Sequence, residues 1–216
     1  MNSIMATQKL TTTKYITKMI RPTINQCVET FNKNIKGRTF FCPTQRNKGK
    51  AGLLLEGLLG IPTSGECWDC QDGEIKAFPQ VLAGLRSRIA IPGTYGPKET
   101  VAVTMCSKPE IELAKSWAES RVRKKLLSVL FVGYVRHEDN VLWHESALFD
   151  QNHEMFQQLE ADYASIQEYY IENRKTSGKI GKFLQVRTKG PGGDKKSWAF
   201  YLRKQFLLKL FGNSKE

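Results

Sequence analysis

A chain of 216 residues, 40% hydrophobic and 25% charged, is long enough to bury one good-sized core. It has no run of 18 apolar residues to form a membrane-spanning helix and no apolar secretory-signal centre at its start, and its five scattered cysteines fit reduced thiols inside a cell rather than a disulfide framework. A net charge of +12 and a pI near 9.5 point to a polyanionic partner.

The position of the charge says more than its total. Residues 1–50 carry ten Lys/Arg against one acid, Glu29, and residues 173–209 carry eleven against one, Asp194. The middle, 51–172, holds 18 acids and 11 basic residues, so two cationic flanks bracket an acidic segment. A phosphate backbone is met by such flanks. The first residues, free of acids through Val28 and rich in Lys and Thr, also have the composition of an organelle transit peptide.

Along the chain, residues 10–35 place Ile16, Met19, Ile20, Ile24, Val28 and Phe31 at loosely helical spacing, and Pro22 divides the stretch into two short helices. Arg46-Asn47-Lys48-Gly49-Lys50 reads as a basic turn, and Ala51 to Leu59 as an apolar helix stopped at Gly60 and Pro62. Glu56 is the anomaly in that helix. Among Leu53, Leu54, Leu55, Leu58 and Leu59 a carboxylate is costly to bury unpaired, so it lies on an exposed strip, which the local sequence favours, or faces a cation.

Residues 62–72 read as a loop and edge strand leading into a strand over Gly73–Phe78, which Pro79 ends. In Asp69-Cys70-Gln71-Asp72-Gly73-Glu74-Ile75-Lys76, Glu74 and Lys76 share one face of that strand while Ile75 points back into the core. An Asp shortly before a Glu-x-Lys is how metal-dependent nucleases build their centre. The carboxylates hold Mg²⁺ through hard oxygens, and the Lys orients and helps deprotonate the water that attacks a phosphodiester. A surface hairpin of alternating charge reads the same way. Cys67-Trp68-Asp69-Cys70 has the spacing of a zinc knuckle or redox pair, with no second Cys or His pair to complete it.

Val101–Met105 is a short strand, Lys115–Lys125 a basic helix or turn, and Leu126–Val135 a long strand whose Val129 to Gly133 segment suits a position covered on both faces. Gln151 to Arg174 carries Phe156, Leu159, Tyr163, Ile166, Tyr169 and Tyr170 at helical spacing, which reads as packing rather than base stacking. Phe183–Val186 is strand-like, Arg187 to Gly193 a mobile basic loop, and Trp198–Phe211 a mixed aromatic, aliphatic and basic segment.

These blocks, taken in order, resemble the MutH family, which comprises the methyl-directed mismatch-repair nickase and the restriction enzymes that cut at GATC. Lys48-Gly49-Lys50-Ala51-Gly52-Leu53-Leu54-Leu55-Glu56 with Leu58-Leu59-Gly60 is similar to the family's Lys-Gly-x-x-Gly-x-Leu-Leu-Glu helix, and Glu74-Ile75-Lys76 with Phe78-Pro79 to its Glu-Leu-Lys strand. Ser120-Arg121-Val122-Arg123-Lys124-Lys125-Leu126 with Val129-Leu130 looks like its basic segment and strand. Phe183 to Lys189 and Ala199 to Phe206 resemble its last two blocks, so the likeness spans roughly residues 46–208.

The resemblance implies roles. Asp69, Glu74 and Lys76 would form the nuclease triad, with Glu56 as a fourth acid reaching the same Mg²⁺ site. Lys48 and Lys125 would lie near the cleaved backbone, Arg187 and Lys189 in the loop that enters the DNA groove, and Tyr201 would sense the adenine and its methylation. Generic phosphate contact, or packing for Tyr201, is the alternative for these five. Two positions depart from the family pattern. Asp69 stands five residues before Glu74, where the nickases have a longer gap, which leaves Asp72 as a competitor, although the neighbouring-strand position favours Asp69. Thr188 replaces a Pro beside the base-reading residues, so the recognised sequence need not be GATC.

The expectation is a single α/β domain over 1–216, with residues 1–45 as its divergent basic N-terminal part. It would have a restriction-endonuclease-like fold, with a central mixed β-sheet flanked by helices and two lobes around a DNA cleft. It would act inside the cell, in cytoplasm or nucleoid, as a Mg²⁺-dependent, sequence-specific restriction-type endonuclease on double-stranded DNA at GATC or a related short site. The alternatives are a methyl-directed nickase and a catalytically silent DNA-binding protein. A double-strand break would call for a transient or stable homodimer on DNA, because one centre cuts one strand at a time.

Overall fold

The computed structural model describes residues 20–43, 49–63, 65–106, 108–189 and 197–215. Strand β5 (Ser128–His137) organises the main sheet: it pairs in parallel with β2 (Glu74–Leu82) and antiparallel with β6 (Asn140–Asp150). β1 (Thr39–Phe41) adds to β6 and β3 (Tyr95–Pro97) to β2, giving the order β1-β6-β5-β2-β3. The second sheet has the order β4-β8-β7, from β4 (Val101–Cys106), β7 (Leu184–Lys189) and β8 (Ser197–Leu202).

Both faces of the main sheet are covered, and β5 shows why its sequence is a nearly unbroken apolar run. Val129 and Phe131 enter one core with Phe78 and Phe149, while Leu130, Val132 and Tyr134 enter the other with Ile75, Val141 and Trp143. Each of these is buried. Against the first face lie the second sheet and helices α4 (Arg121–Leu126), α5 (Phe156–Asn173) and α6 (Lys204–Leu210); against the other lie α1 (Ile24–Thr30), its π-helical continuation Phe31–Ile35, and α2 (Lys50–Leu58). A short helix, α3 (Pro109–Leu113), links β4 towards α4. The expected α/β class, with a central mixed sheet flanked by helices, is the observed one. No described helix is long and apolar enough to cross a membrane.

Several sequence expectations need correction. Ile20 is exposed rather than part of a buried stripe; the buried residues of its segment are Ile24, Cys27, Phe31 and Ile35, and Ile16 and Met19 lie outside the described residues. Pro79 does not end β2. The strand pairs with β5 through Pro79 and with β3 from Gln80, so the residue without an N–H stands at the hand-over, where the sheet tolerates it. Residues 66–72 form bends, not an edge strand. β7 runs on to Lys189, so Arg187 to Lys189 are strand rather than loop; residues 190–196 lie outside the described residues. β6 went unrecognised because its apolar residues are interrupted by His144, Glu145 and Ser146, which the hairpin with β5 carries as a half-covered strand.

Gly73 sets how β2 begins. A Cβ there would stand 2.6 Å from the Ser128 carbonyl oxygen and 2.6 Å from Ile24 Cγ1, so only glycine lets the chain enter β2 against both β5 and α1. Gly73→Ala is expected to destabilise the chain by about 1–3 kcal/mol through overpacking. A thermal melt should show it as a loss of about 2–4 °C per kcal/mol, and an unchanged Tm would show that the approach is not tight.

Candidate active site

The start of β2 gathers most of the acidic and basic groups singled out in the sequence. Glu74 is buried, its side chain only 4% exposed, and each carboxylate oxygen meets an ammonium: Lys76 Nζ stands 2.5 Å from Oε1 and Lys125 Nζ 2.7 Å from Oε2. Strand periodicity puts Glu74 and Lys76 on one face, the face on which Phe78 enters the core, while Ile75 packs behind them. Lys125 arrives from the last turn of α4. That helix is fixed at its other end by Ser120, whose hydroxyl accepts from Arg123 N at 3.0 Å, and by buried Glu112, which accepts from Arg121 N at 3.0 Å.

Asp69 and Asp72 part ways. Asp69, half-buried, accepts from Ile75 N at 2.9 Å and so lies beside the start of β2. Asp72 is exposed and turned the other way, accepting from Ile24 N at 2.8 Å at the first turn of α1. β2 begins at Glu74, so Asp72 does not share a strand face with Glu74 and Lys76. Glu56 is half-buried on α2 rather than on its exposed strip, which Leu53 occupies at 55% exposure. Burial first, then the negative charges of Asp69 and Glu74, push the Glu56 carboxyl above the usual carboxylate range, and Lys76 pulls it back in part. Glu56 therefore stands within reach of the charges of Asp69, Glu74 and Lys76.

The segment before β2 is tied down residue by residue. Arg21 Nη1 donates to Trp68 O at 2.5 Å, Trp68 Nε1 donates to Lys124 O at 3.0 Å, and Lys125 Nζ also donates to Cys67 O. Cys70 is buried with its sulfur 3.5 Å from that of Cys27, and Cys67 is exposed, so the Cys67–Cys70 pair of the sequence is not a joint site here. Among the described residues no three His, Cys, Asp or Glu side chains already converge as metal ligands; Glu74 instead directs both oxygens at lysines.

On the second sheet, Arg187 and Tyr201 meet. The guanidinium carbon lies 4.3 Å from the ring centroid of Tyr201, and Arg187 Nη2 donates to Thr100 Oγ1 at 2.7 Å. Tyr201 is buried beneath it. Lys189 pairs with Ser197 through the backbone, and its side chain, like all of Lys48, lies outside the described residues. A residue that sequence reasoning passed over is Asp162 on α5: buried, it accepts from Lys182 N at 2.8 Å, Phe183 N at 2.5 Å and Leu184 N at 2.7 Å, fixing where β7 begins. The available signal was an acid on the stripe of Leu159, Tyr163 and Ile166, the same anomaly that marked Glu56.

Raising the Glu56 pKa above its ordinary 4.5 means that the folded chain retains a proton which the unfolded chain has released. Stability is therefore present in full below 4.5 and falls as pH rises through the raised value. With metal chelated, Glu56→Gln is expected to raise Tm at pH 7 and to give no gain at pH 4. Thermal melts across pH test it, and a lower Tm for the variant at pH 7 would contradict the crowding of carboxylates.

No family model matches this chain, and no curated protein matches it. Among solved structures it is similar to the restriction endonuclease MvaI in complex with its cognate DNA substrate, at 14% sequence identity and a TM-score of 0.42, over 88% of this chain and 94% of that one.

Proposed function

We propose that this chain is a Mg²⁺-dependent, sequence-specific DNA endonuclease of the restriction-endonuclease-like class, similar to the MutH family and acting at GATC or a related short site. The observation that carries the reading is buried Glu74 held between Lys76 and Lys125 at the start of β2, with Asp69 on the N–H of the next residue and Glu56 within reach of both acids' charge. A surface hairpin of alternating charge would leave these groups in water. Here Glu74 is buried, and Glu56, raised first by its burial and then by the charges of Asp69 and Glu74, carries a load of the kind a divalent cation relieves.

The donor set suits a hard cation: Glu56, Asp69 and Glu74 are all carboxylates and would hold it, with Asp69 preferred over the outward-turned Asp72. When bound, Mg²⁺ supplies neutralisation of the charge that builds on the phosphoryl oxygens. The chain's own groups do the rest. Lys76 Nζ, held against Glu74, would orient the attacking water and help to remove its proton. Lys125 would meet the phosphate backbone, and Lys48 would add a further phosphate contact. Arg187, placed over the ring of Tyr201 and able to donate to guanine O6 and N7, would read a base edge with Lys189 beside it, leaving Tyr201 to contact the adenine. The +12 charge supplies the non-specific attraction to double-stranded DNA, and a homodimer would place two centres on the two strands.

Supercoiled plasmid carrying unmethylated, hemimethylated or fully methylated GATC sites, incubated with and without Mg²⁺, tests the proposal. Linear fragments from unmethylated DNA, only with Mg²⁺, are the expected result. Nicks confined to hemimethylated sites would point to a repair nickase, and salt-sensitive binding without cutting on any substrate would overturn the nuclease reading. Glu74→Ala and Lys76→Ala should each lower cleavage by at least about a hundredfold, the scale of losing one group that acts on the transition state, with DNA binding largely retained. Undiminished turnover in either variant would place the chemistry elsewhere.

A further inference from the structure

Glu74 has both oxygens occupied by ammonium groups, and the two lysines differ in how they are held. Lys76 lies on the same strand and face as Glu74, inside the main sheet, where its backbone is paired with β5. Lys125 stands on the last turn of a six-residue helix, and among the described residues its ammonium is held, apart from Glu74, by a neutral carbonyl, that of Cys67. A cation that is to reach Glu74 Oε2 must displace Lys125. A phosphate diester offers that ammonium an anionic partner at the same place, since its side chain is 15% exposed against 4% for Glu74.

We propose that Lys125 is a latch on the metal site: in the DNA-free protein its ammonium holds Glu74 Oε2 closed to a divalent cation, and a DNA phosphate that draws Lys125 away opens it. Metal and DNA then bind with positive coupling, each favouring the state the other needs. The free enzyme would hold its centre closed until a backbone is seated. This rests on the nuclease reading of the site, and it gives Lys125 a positioning role, through Glu74, beyond a phosphate contact.

Mn²⁺ binding to the full chain, followed by the loss of the free-ion electron paramagnetic resonance signal, tests the latch without reference to turnover. Without DNA, Lys125→Met should bind Mn²⁺ at least about tenfold more tightly than wild type, within the range known for coupled sites. Lys125→Gln, which keeps a donor for the Cys67 carbonyl, should do the same, and circular dichroism establishes that each variant is folded. Lys124→Met loses the same charge from the neighbouring position, where the ammonium lies over Trp68 at 6.0 Å from the ring centroid, and should change Mn²⁺ affinity by less than about twofold, as expected for a screened exposed charge. Adding a short duplex should tighten Mn²⁺ binding more in wild type than in either Lys125 variant. If Glu74→Gln abolishes Mn²⁺ binding while the Lys125 variants bind no better than wild type, or Lys124→Met gains as much as they do, the latch is overturned and the nuclease reading stands. If Glu74→Gln binds Mn²⁺ as wild type does, with and without duplex, the metal does not use this carboxylate and both readings fall.

Discussion

Burying one carboxylate, that of Glu74, sets the terms for everything around it. A buried carboxylate costs several kcal/mol in lost solvation, and one left unpaired would be neutralised by protonation rather than persist as an anion. Two ammonium groups on its two oxygens remove that penalty here. Their positions then constrain the chain: Lys76 must share a strand face with Glu74, and Lys125 must come from a helix ending directly before β5. The parallel register of β2 and β5, with Glu74 opposite Val129, brings that helix end to the start of β2. The exchange of buried charge and the sheet topology are thus one arrangement.

What was legible in the sequence follows from which signals are local. β5 announced itself because a strand covered on both faces must be apolar at every position, α2 as an apolar run stopped at Gly60 and Pro62, and α5 because its buried residues recur at helical spacing. β6 did not, since one of its faces is only half covered and its polar residues break the alternation. The Glu74–Lys76 pairing was legible from strand periodicity alone. The contact between Lys125 and Glu74 was not, because it joins residues 51 apart in sequence and depends on the register of a parallel pair that no local pattern encodes.

Acids that look out of place on apolar elements proved informative in more than one way. Glu56 on the leucine-rich α2 lies within reach of the other carboxylates' charge, whereas Asp162 on α5 spends its oxygens on three backbone N–H groups at the start of β7, and Glu112 on the first N–H of α4. A buried carboxylate fully engaged by backbone donors holds an element in place. One whose neighbours are other carboxylates is under electrostatic load that only a cation or proton removes. Sequence marks both as anomalies; only the surroundings separate them.

The five-residue gap from Asp69 to Glu74 has its reason in the turn between them. Cys70 N donates to Gly73 O at 2.9 Å, which reverses the chain within four residues and returns Asp69 to the side of Ile75 without a preceding strand. That turn needs external support, because bends have no ladder of their own. It receives it from Gln71 N to Pro22 O at 3.1 Å, from Asp72 to Ile24 N, and from the buried Cys70 sulfur against Cys27. All three supports lie in residues 22–27, so the N-terminal helix, which carries none of the candidate catalytic groups, fixes Asp69 from behind. In this chain the position of Asp69 therefore depends on α1 rather than on a neighbouring strand, and Asp72, off the strand face, is the residue that ties the turn to that helix.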